Sequence, residues 1–138
     1  MNSKCLPTVK IYFRFYGESF DPDEITRRLG IEPTIHFRPG DPITKDGQGS
    51  RRGYGWMIKI GGRETLEIDD ILQELRERVN VSSATIRQLC NDLGVEAVVV
   101  CGVGQHESAE TTPALFFPVD FIEWVAEMGA SLNVDMIL

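Results

Sequence analysis

Near the start of the chain the hydrophobic pattern changes from a period of two to a helical period, and this change constrains the fold most. Apolar residues alternate with polar or tyrosine residues over 9–16, which predicts a strand with one buried face. A helix-start signal follows after a short turn, with Asp21 as N-cap and Pro22 at the first helical position. Gly30 supplies the left-handed stop of this helix. The segment therefore predicts a fold that combines strands and helices.

The rest of the chain continues this alternation of strands and helices. The predicted segments are a strand over 56–60 that ends at Gly61 and Gly62, a helix over 68–79, a nearly all-apolar strand over 96–103, a polar loop over 105–112, a helix over 118–128 and a closing strand over 131–138. Between the helix over 68–79 and the all-apolar strand, a further helix is predicted, with Ser82 or Ser83 as its cap and Gly94 as its stop. In the helix over 118–128, the spacing places Phe121, Ile122, Val125 and Met128 inward. The all-apolar strand should be covered on both faces or lie centrally in the sheet.

These segments predict one α+β domain over residues 1–138. The expected architecture is a two-layer sandwich, with about four mostly antiparallel strands and the helices packed on one face. The first and last strands alternate cleanly, which is typical of a sheet with one solvated face. A chain of 138 residues without repeats or linkers fits a single domain of ordinary size.

Charge is distributed unevenly along the chain. The net charge is −7, yet residues 36–59 carry five cations and two acids, a local charge of +3. A chain this acidic opposes non-specific binding to nucleic acid, so we expect no nucleic-acid partner. The local basic segment could hold a small anion or an acidic partner, or it could be an ordinary solvated loop.

Metal, cofactor and membrane signals are missing from the sequence. The three cysteines and two histidines show no metal-ligand spacing, and no nucleophile or phosphate-loop motif occurs. We therefore expect no metal and no cofactor, and the sequence favours a non-catalytic role without deciding it. No apolar run approaches the length of a membrane span, so we expect no membrane partner and a reduced, cytoplasmic protein.

The basic loop over 36–56 is the first candidate site. Its arginines have the forked donors that suit a carboxylate or a phosphate, Asp41 could hold one of them in place, and Trp56 could stack on a guanidinium or a planar ligand. The alternative is structural, with these ion pairs fixing the loop to the sheet and Trp56 in the core. The candidate ligand-binding residues are Arg38, Asp41, Arg51, Arg52 and Trp56.

The sheet face opposite the helices is the second candidate. Tyr12, Tyr16 and Met57 should share this face with Lys59 and Ile137, and Val98 and Val100 join them if their strand has that parity. An apolar and aromatic face on a small domain is typical of an interface, either between two copies in a homodimer or with another protein. Alternatively, the long loop folds over this face and buries it.

Three segments of the chain resemble one protein family. The run from Phe20 to Thr34, the Arg38-Pro-Gly-Asp41 turn followed by Arg52 and Trp56, and the run from Met128 to Asp135 are similar to the bacterial family catalogued as domain of unknown function 4279. The resemblance covers nearly the whole chain. It implies a shared fold and a bacterial origin, and no established activity.

Two hypotheses for function follow from these observations. The first is a non-catalytic protein-interaction or regulatory module, for instance an immunity-type protein that neutralises a partner. The second is a small anionic-ligand-binding domain, or an enzyme, that uses the arginine-rich loop over 36–56.

Overall fold

The computed structural model describes residues 6–65, 67–104 and 115–137, and within them five strands and four helices. The strands are β1 (Thr8–Tyr16), β2 (Ile35–Phe37), β3 (Gly55–Glu64), β4 (Glu96–Gly104) and β5 (Ser131–Ile137). The helices are α1 (Pro22–Leu29), α2 (Asp69–Arg78), α3 (Ser83–Leu93) and α4 (Val119–Glu127). The predicted polar loop over 105–112 lies outside the described residues.

The strands form one sheet in the order β2-β3-β1-β4-β5. β1 lies in the middle and pairs antiparallel with β3 and β4, whereas β5 pairs parallel with β4 after the α4 crossover. The first four strands, with α1 and with α2 and α3 in the connections, have the order of a split βαβ fold. The predicted α+β class with a mostly antiparallel sheet is confirmed.

The predicted number of strands was one too low, because β2 was missed. Its three residues lie in a segment that shows no hydrophobic alternation, and pairing with β3 alone defines them as a strand. A strand this short leaves no periodic signal, since two or three positions cannot establish a period.

The core occupies one face of the sheet. Val9, Ile11, Phe13 and Phe15 of β1 are 0% exposed, and they pack with alternate residues of the neighbouring strands and with the inner sides of all four helices. The α1 start and stop are confirmed: the Asp21 carboxylate accepts a hydrogen bond from the Asp23 backbone N–H, and Gly30 is left-handed. Glu24 pairs with Arg27.

α4 differs from the prediction at one position. Ile122 is 49% exposed rather than inward, and Trp124 is 8% exposed and takes its place. Phe121, Trp124, Val125 and Met128 follow the helical spacing of three, four and seven residues, so they share one side of the helix. Ile122 lies one residue off that stripe, about 100° around the helix axis.

β3 also departs from the prediction, because it continues through Gly61 and Gly62 instead of ending there. The register with β1 shifts between Val9 and Lys10, so the pair contains a bulge at this point. Both glycines have positive φ, +103° at Gly61 and +81° at Gly62, and the strand runs on to Glu64. The Gly61-Gly62 pair, which the sequence pattern predicts as the end of the strand, therefore lies inside a bulged strand.

Glycine is needed at the two positions of the bulge for different reasons, and substitution by alanine distinguishes backbone strain from a steric clash. A Cβ at Gly61 would lie 2.7 Å from the backbone oxygen of Val9, whereas a Cβ at Gly62 would meet nothing within 4 Å. We expect Gly62→Ala to lower the free energy of unfolding by about 1 kcal/mol through backbone strain alone. Gly61→Ala adds the clash and should cost about 3 kcal/mol. Urea unfolding midpoints at an unchanged m-value measure both, and equal losses would contradict the close approach at Gly61.

Candidate functional site

The face of the sheet opposite the helices, here called the open face, carries both cations and aromatic rings in the part of the chain that the structure describes. Side chains alternate across a strand, so the residues between the buried ones of β1 point to this face. The registers place the following residues there: Thr8, Lys10, Tyr12, Arg14 and Tyr16 of β1, Ile35 and Phe37 of β2, Gly55, Met57, Lys59, Gly61 and Glu64 of β3, Glu96, Val98, Val100, Gly102 and Gly104 of β4, and Ser131, Asn133 and Asp135 of β5.

Two arginines stack on aromatic rings at one end of the open face. The Arg14 Cζ lies 4.1 Å from the centroid of the Tyr16 ring, and the Arg51 Cζ lies 4.0 Å from the centroid of the Phe37 ring. These distances are those of cation–π contacts. We refer to these four residues as the arginine–aromatic cluster.

The two halves of the cluster are neighbours because Gly55 lies between them. Phe37 pairs with Gly55, and its ring lies so close that a Cβ on Gly55 would be 2.2 Å from the Phe37 Cζ. On the other side of Gly55 is Tyr16, since the preceding residue of β1 pairs with Trp56. A side chain at Gly55 would therefore displace Phe37, and with it Arg51.

The arginines of the cluster are not neutralised by acids. Among the described residues, neither Arg14 nor Arg51 has a carboxylate oxygen within 4.0 Å, and the buried Nε of each has no hydrogen-bond partner. Five other arginines do pair with carboxylates, namely Arg27, Arg28, Arg38, Arg63 and Arg76. A stacked guanidinium without a carboxylate partner is suited to an anion, because a charge-assisted hydrogen bond is about twice as strong as a neutral one.

Two lysines extend the positive charge along the strands. Lys59 of β3 pairs with Tyr12 of β1, and Lys10 lies two residues further along β1. Arg14, Lys59 and Lys10 thus form a strip of cations over the β1 and β3 strands, and Arg51 lies beside it over Phe37 of β2. Glu64, Glu96 and Asp135 are the acids that the registers place on the described part of this face.

The loop residues predicted to bind a ligand are not all in one place. The Arg38 guanidinium pairs with Asp21 at 2.5 Å and with Asp23 at 3.0 Å, and these contacts fix the loop to the start of α1. The hydrogen bond to Asp23, together with that to Asp21, raises the pKa of Arg38. The Asp41 carboxylate accepts a hydrogen bond from the backbone N–H of Arg38 instead of holding an arginine side chain.

This fixed loop in turn positions Arg51. Backbone hydrogen bonds join Gly40 N–H to the Arg51 oxygen and Arg51 N–H to the Asp41 oxygen, both at 2.8 Å. The loop therefore folds back on itself and sets Arg51 beside Phe37. Arg52, the next residue, is exposed and has no carboxylate within 4.0 Å among the described residues.

Trp56 lies on the opposite face of the sheet and is 0% exposed. Its ring packs against Phe15 at a centroid distance of 5.5 Å, and its Nε1–H donates a 3.0 Å hydrogen bond to the Thr26 hydroxyl. A ligand at the surface would not reach this side chain. Trp56 therefore has the structural role that was the alternative to stacking.

The three residues predicted to form an interface have different exposures. Tyr16 is 42% exposed, Tyr12 is half-buried and Met57 is only 8% exposed. Met57 pairs with Arg14 and Ile35, next to the end of the face that Phe37 and Arg51 cover. The long loop thus folds over one end of the open face and leaves the middle accessible.

Sequence reasoning did not single out Arg14 or Phe37. A signal for Arg14 was present, because residues two apart on a strand share a face and Arg14 precedes Tyr16 by two. No comparable signal links Phe37 to Arg51, since the loop conformation alone brings them together.

Groups that could support catalysis or hold a metal are sparse in the described residues. Burial raises the pKa of the Cys90 and Cys101 thiols, which keeps them protonated at neutral pH, and His36 is exposed on β2. In the described ranges no three His, Cys, Asp or Glu side chains come together as a metal site. No helix in these ranges has both the length and the apolar character needed to cross a membrane.

The hydrogen bond between Trp56 and Thr26 ties α1 to the sheet, and its contribution is measurable. We expect Thr26→Val to lower the free energy of unfolding by about 1–3 kcal/mol, because it leaves a buried indole N–H without an acceptor. Thr26→Ser keeps the hydroxyl and serves as the control, with a loss of less than about 1 kcal/mol. Denaturant unfolding followed by tryptophan fluorescence measures both, and no loss of stability in Thr26→Val would contradict the contribution of the hydrogen bond.

Comparison with known proteins identifies the family and nothing more specific. No curated protein and no solved structure matches the chain. A family model does match residues 7–138, which is nearly the whole chain and includes every strand and helix described above. The chain therefore belongs to the family described as "Domain of unknown function (DUF4279)".

Proposed function

We propose that this protein is a non-catalytic binding module whose open face receives an acidic segment of a protein partner. The observation that carries the proposal is the arginine–aromatic cluster, in which two guanidinium groups stack on aromatic rings and have no carboxylate partner among the described residues. Binding of this kind lets a small protein regulate or neutralise its partner without chemical change.

The local charge of the open face supports an anionic ligand. The described part of this face has four cations, Arg14, Arg51, Lys59 and Lys10, and three acids, Glu64, Glu96 and Asp135, while the chain as a whole carries −7. Charges interact strongly only within a Debye length of about 8 Å at physiological ionic strength. An acidic group at the surface therefore meets mainly the cations of this face.

A protein segment fits this surface better than a nucleic acid does. A nucleic-acid strand carries a charge on every nucleotide, so the distant acids of this chain repel it along its length. An acidic protein segment carries fewer charges and also supplies apolar side chains, which can contact the exposed ring of Tyr16. Two copies stacked through their open faces would place one cation-rich surface against another, which disfavours self-association here.

The basic loop by itself is a weaker candidate for anion binding. The guanidinium of Arg38 already has two carboxylate partners, and Trp56 is in the core. Of the five predicted ligand-binding residues, Arg51 is the one that joins the proposed site. The free thiols of Cys90 and Cys101 fit a protein that works in the cytoplasm.

The proposal is tested with a fluorescently labelled oligoglutamate peptide and two double variants. We expect Arg14→Gln with Arg51→Gln to weaken binding of the peptide about tenfold or more, a loss of at least about 1.4 kcal/mol, because the stacked cations are removed. Arg52→Gln with Arg78→Gln removes the same charge from two exposed arginines outside the cluster and should bind like the unmodified protein. Fluorescence anisotropy at low and physiological salt gives the affinities.

Two outcomes would overturn the proposal. One is equal weakening in both double variants, because the effect would then come from net charge and not from the cluster. The other is tighter binding of a single-stranded oligothymidylate than of oligoglutamate, which would indicate a nucleic-acid surface. Unchanged thermal unfolding of the variants shows that each still folds.

A further inference from the structure

A groove lies at the end of the open face away from the arginine–aromatic cluster. It has a volume of about 360 Å³ and runs across the strands β1, β4 and β5. Its lining residues are Thr8, Lys10, Tyr12, Val100, Gly102, Gly104 and Asp135. Small-molecule pockets begin at about 300 Å³, so the groove is large enough for a small metabolite.

The groove exists because two positions of β4 have no side chain. Neither Gly102 nor Gly104 has a positive φ, so the backbone conformation there does not require glycine. A Cβ would come no closer than 3.8 Å to the Tyr12 ring at Gly102, and no closer than 3.8 Å to the Thr8 oxygen at Gly104. These are ordinary contacts, so packing does not require glycine either. Glycine inside a strand weakens it and often marks a place where a ligand approaches the backbone closely.

Opposite charges flank the floor of the groove. Gly102 pairs with Lys10 on one side and with Asp135 on the other, so the three residues form one row across the sheet. The two charged residues are two strand spacings apart, about 9–10 Å between their Cα atoms. They form no ion pair with each other in the described structure. Tyr12 and Val100 supply an apolar wall at one end.

We infer that this groove binds a small zwitterion with a flat apolar group, the class to which the aromatic α-amino acids belong. The carboxylate of the ligand accepts from the Lys10 ammonium, and its ammonium donates to the Asp135 carboxylate. The ring lies on the bare backbone of β4 at Gly102, against the side chain of Tyr12. The groove shares Lys10 with the cations of the open face but lies apart from the arginine–aromatic cluster, so this inference does not depend on the proposed function.

The charge requirement is tested with matched ligands. L-Tryptophan carries both charges, tryptamine only the positive charge and indole-3-propionate only the negative one. Titration calorimetry should show that L-tryptophan binds about tenfold or more tightly than either analogue, since each analogue leaves one charged side chain without a partner. Shifts of backbone amide signals in NMR spectra should fall on β1, β4 and β5.

Two substitutions test the position of the site. Gly102→Val fills the floor of the groove with a strand-favouring residue and should abolish binding. Gly53→Val adds the same bulk at an exposed loop position where a Cβ meets nothing within 4 Å, and should leave binding unchanged. Asp135→Asn, at an exposed position, should remove the preference for L-tryptophan over indole-3-propionate while the protein stays folded.

Several results would overturn the inference. These are the absence of saturable binding of L-tryptophan, L-tyrosine and L-phenylalanine to the unmodified protein, equal affinity for all three indole compounds, or full binding by Gly102→Val or Asp135→Asn. The double variant Arg14→Gln with Arg51→Gln should bind L-tryptophan normally. Its affinities for the oligoglutamate peptide and for L-tryptophan therefore distinguish a failure of this inference from a failure of the proposed function.

Discussion

The alternation of β1 is the constraint on which the rest of the structure depends. Because successive side chains of a strand point to opposite faces, the same nine residues supply the centre of the core and the centre of the open face. The fully buried side chains from Val9 to Phe15 hold the helices on one side. The alternation therefore places the side chains between them on the open face, namely Lys10, Tyr12, Arg14 and Tyr16. A shift of the register by one residue would bury the cations and expose the core, so hydrophobic burial also fixes the binding surface.

Glycines determine the shape of the open face as much as the residues with side chains do. The absence of a side chain at Gly55 leaves room for the Phe37 ring, and Arg51 stacks on that ring. At Gly102 the bare backbone leaves a groove between two opposite charges. One end of the face is thus filled by its own loop, and the other end remains accessible. The two ends differ because the loop over 38–51 is tied back to α1 through Arg38 and its two carboxylates.

Much of the fold was predictable from local pattern, while much of the candidate site was not. The caps of α1 and α3 and the apolar character of β4 are properties of short segments, and the structure confirms them. β2 and the bulge at Gly61 were missed because a partner strand defines each of them. Of the two roles left open for Trp56, the structure shows the one in the core, whereas the predicted inward position of Ile122 was wrong. In both cases the packing partner decides which side of an element is buried.

The sequence by itself determined the α+β class, the buried face of β1 and the acidic balance of the chain, because each of these depends on composition or on spacing within one element. It also indicated that Arg14 and Tyr16 lie side by side on one face, since these residues are two apart on a strand. Only the tertiary structure decided that Arg38 is paired with acids while Arg51 has none beside it among the described residues, and that Arg51 stacks on Phe37 at the open face. The physical reason is that a guanidinium stacks or pairs with whatever the folded chain brings within about 4–6 Å, and residues far apart in sequence come that close only after the sheet and the loop have formed.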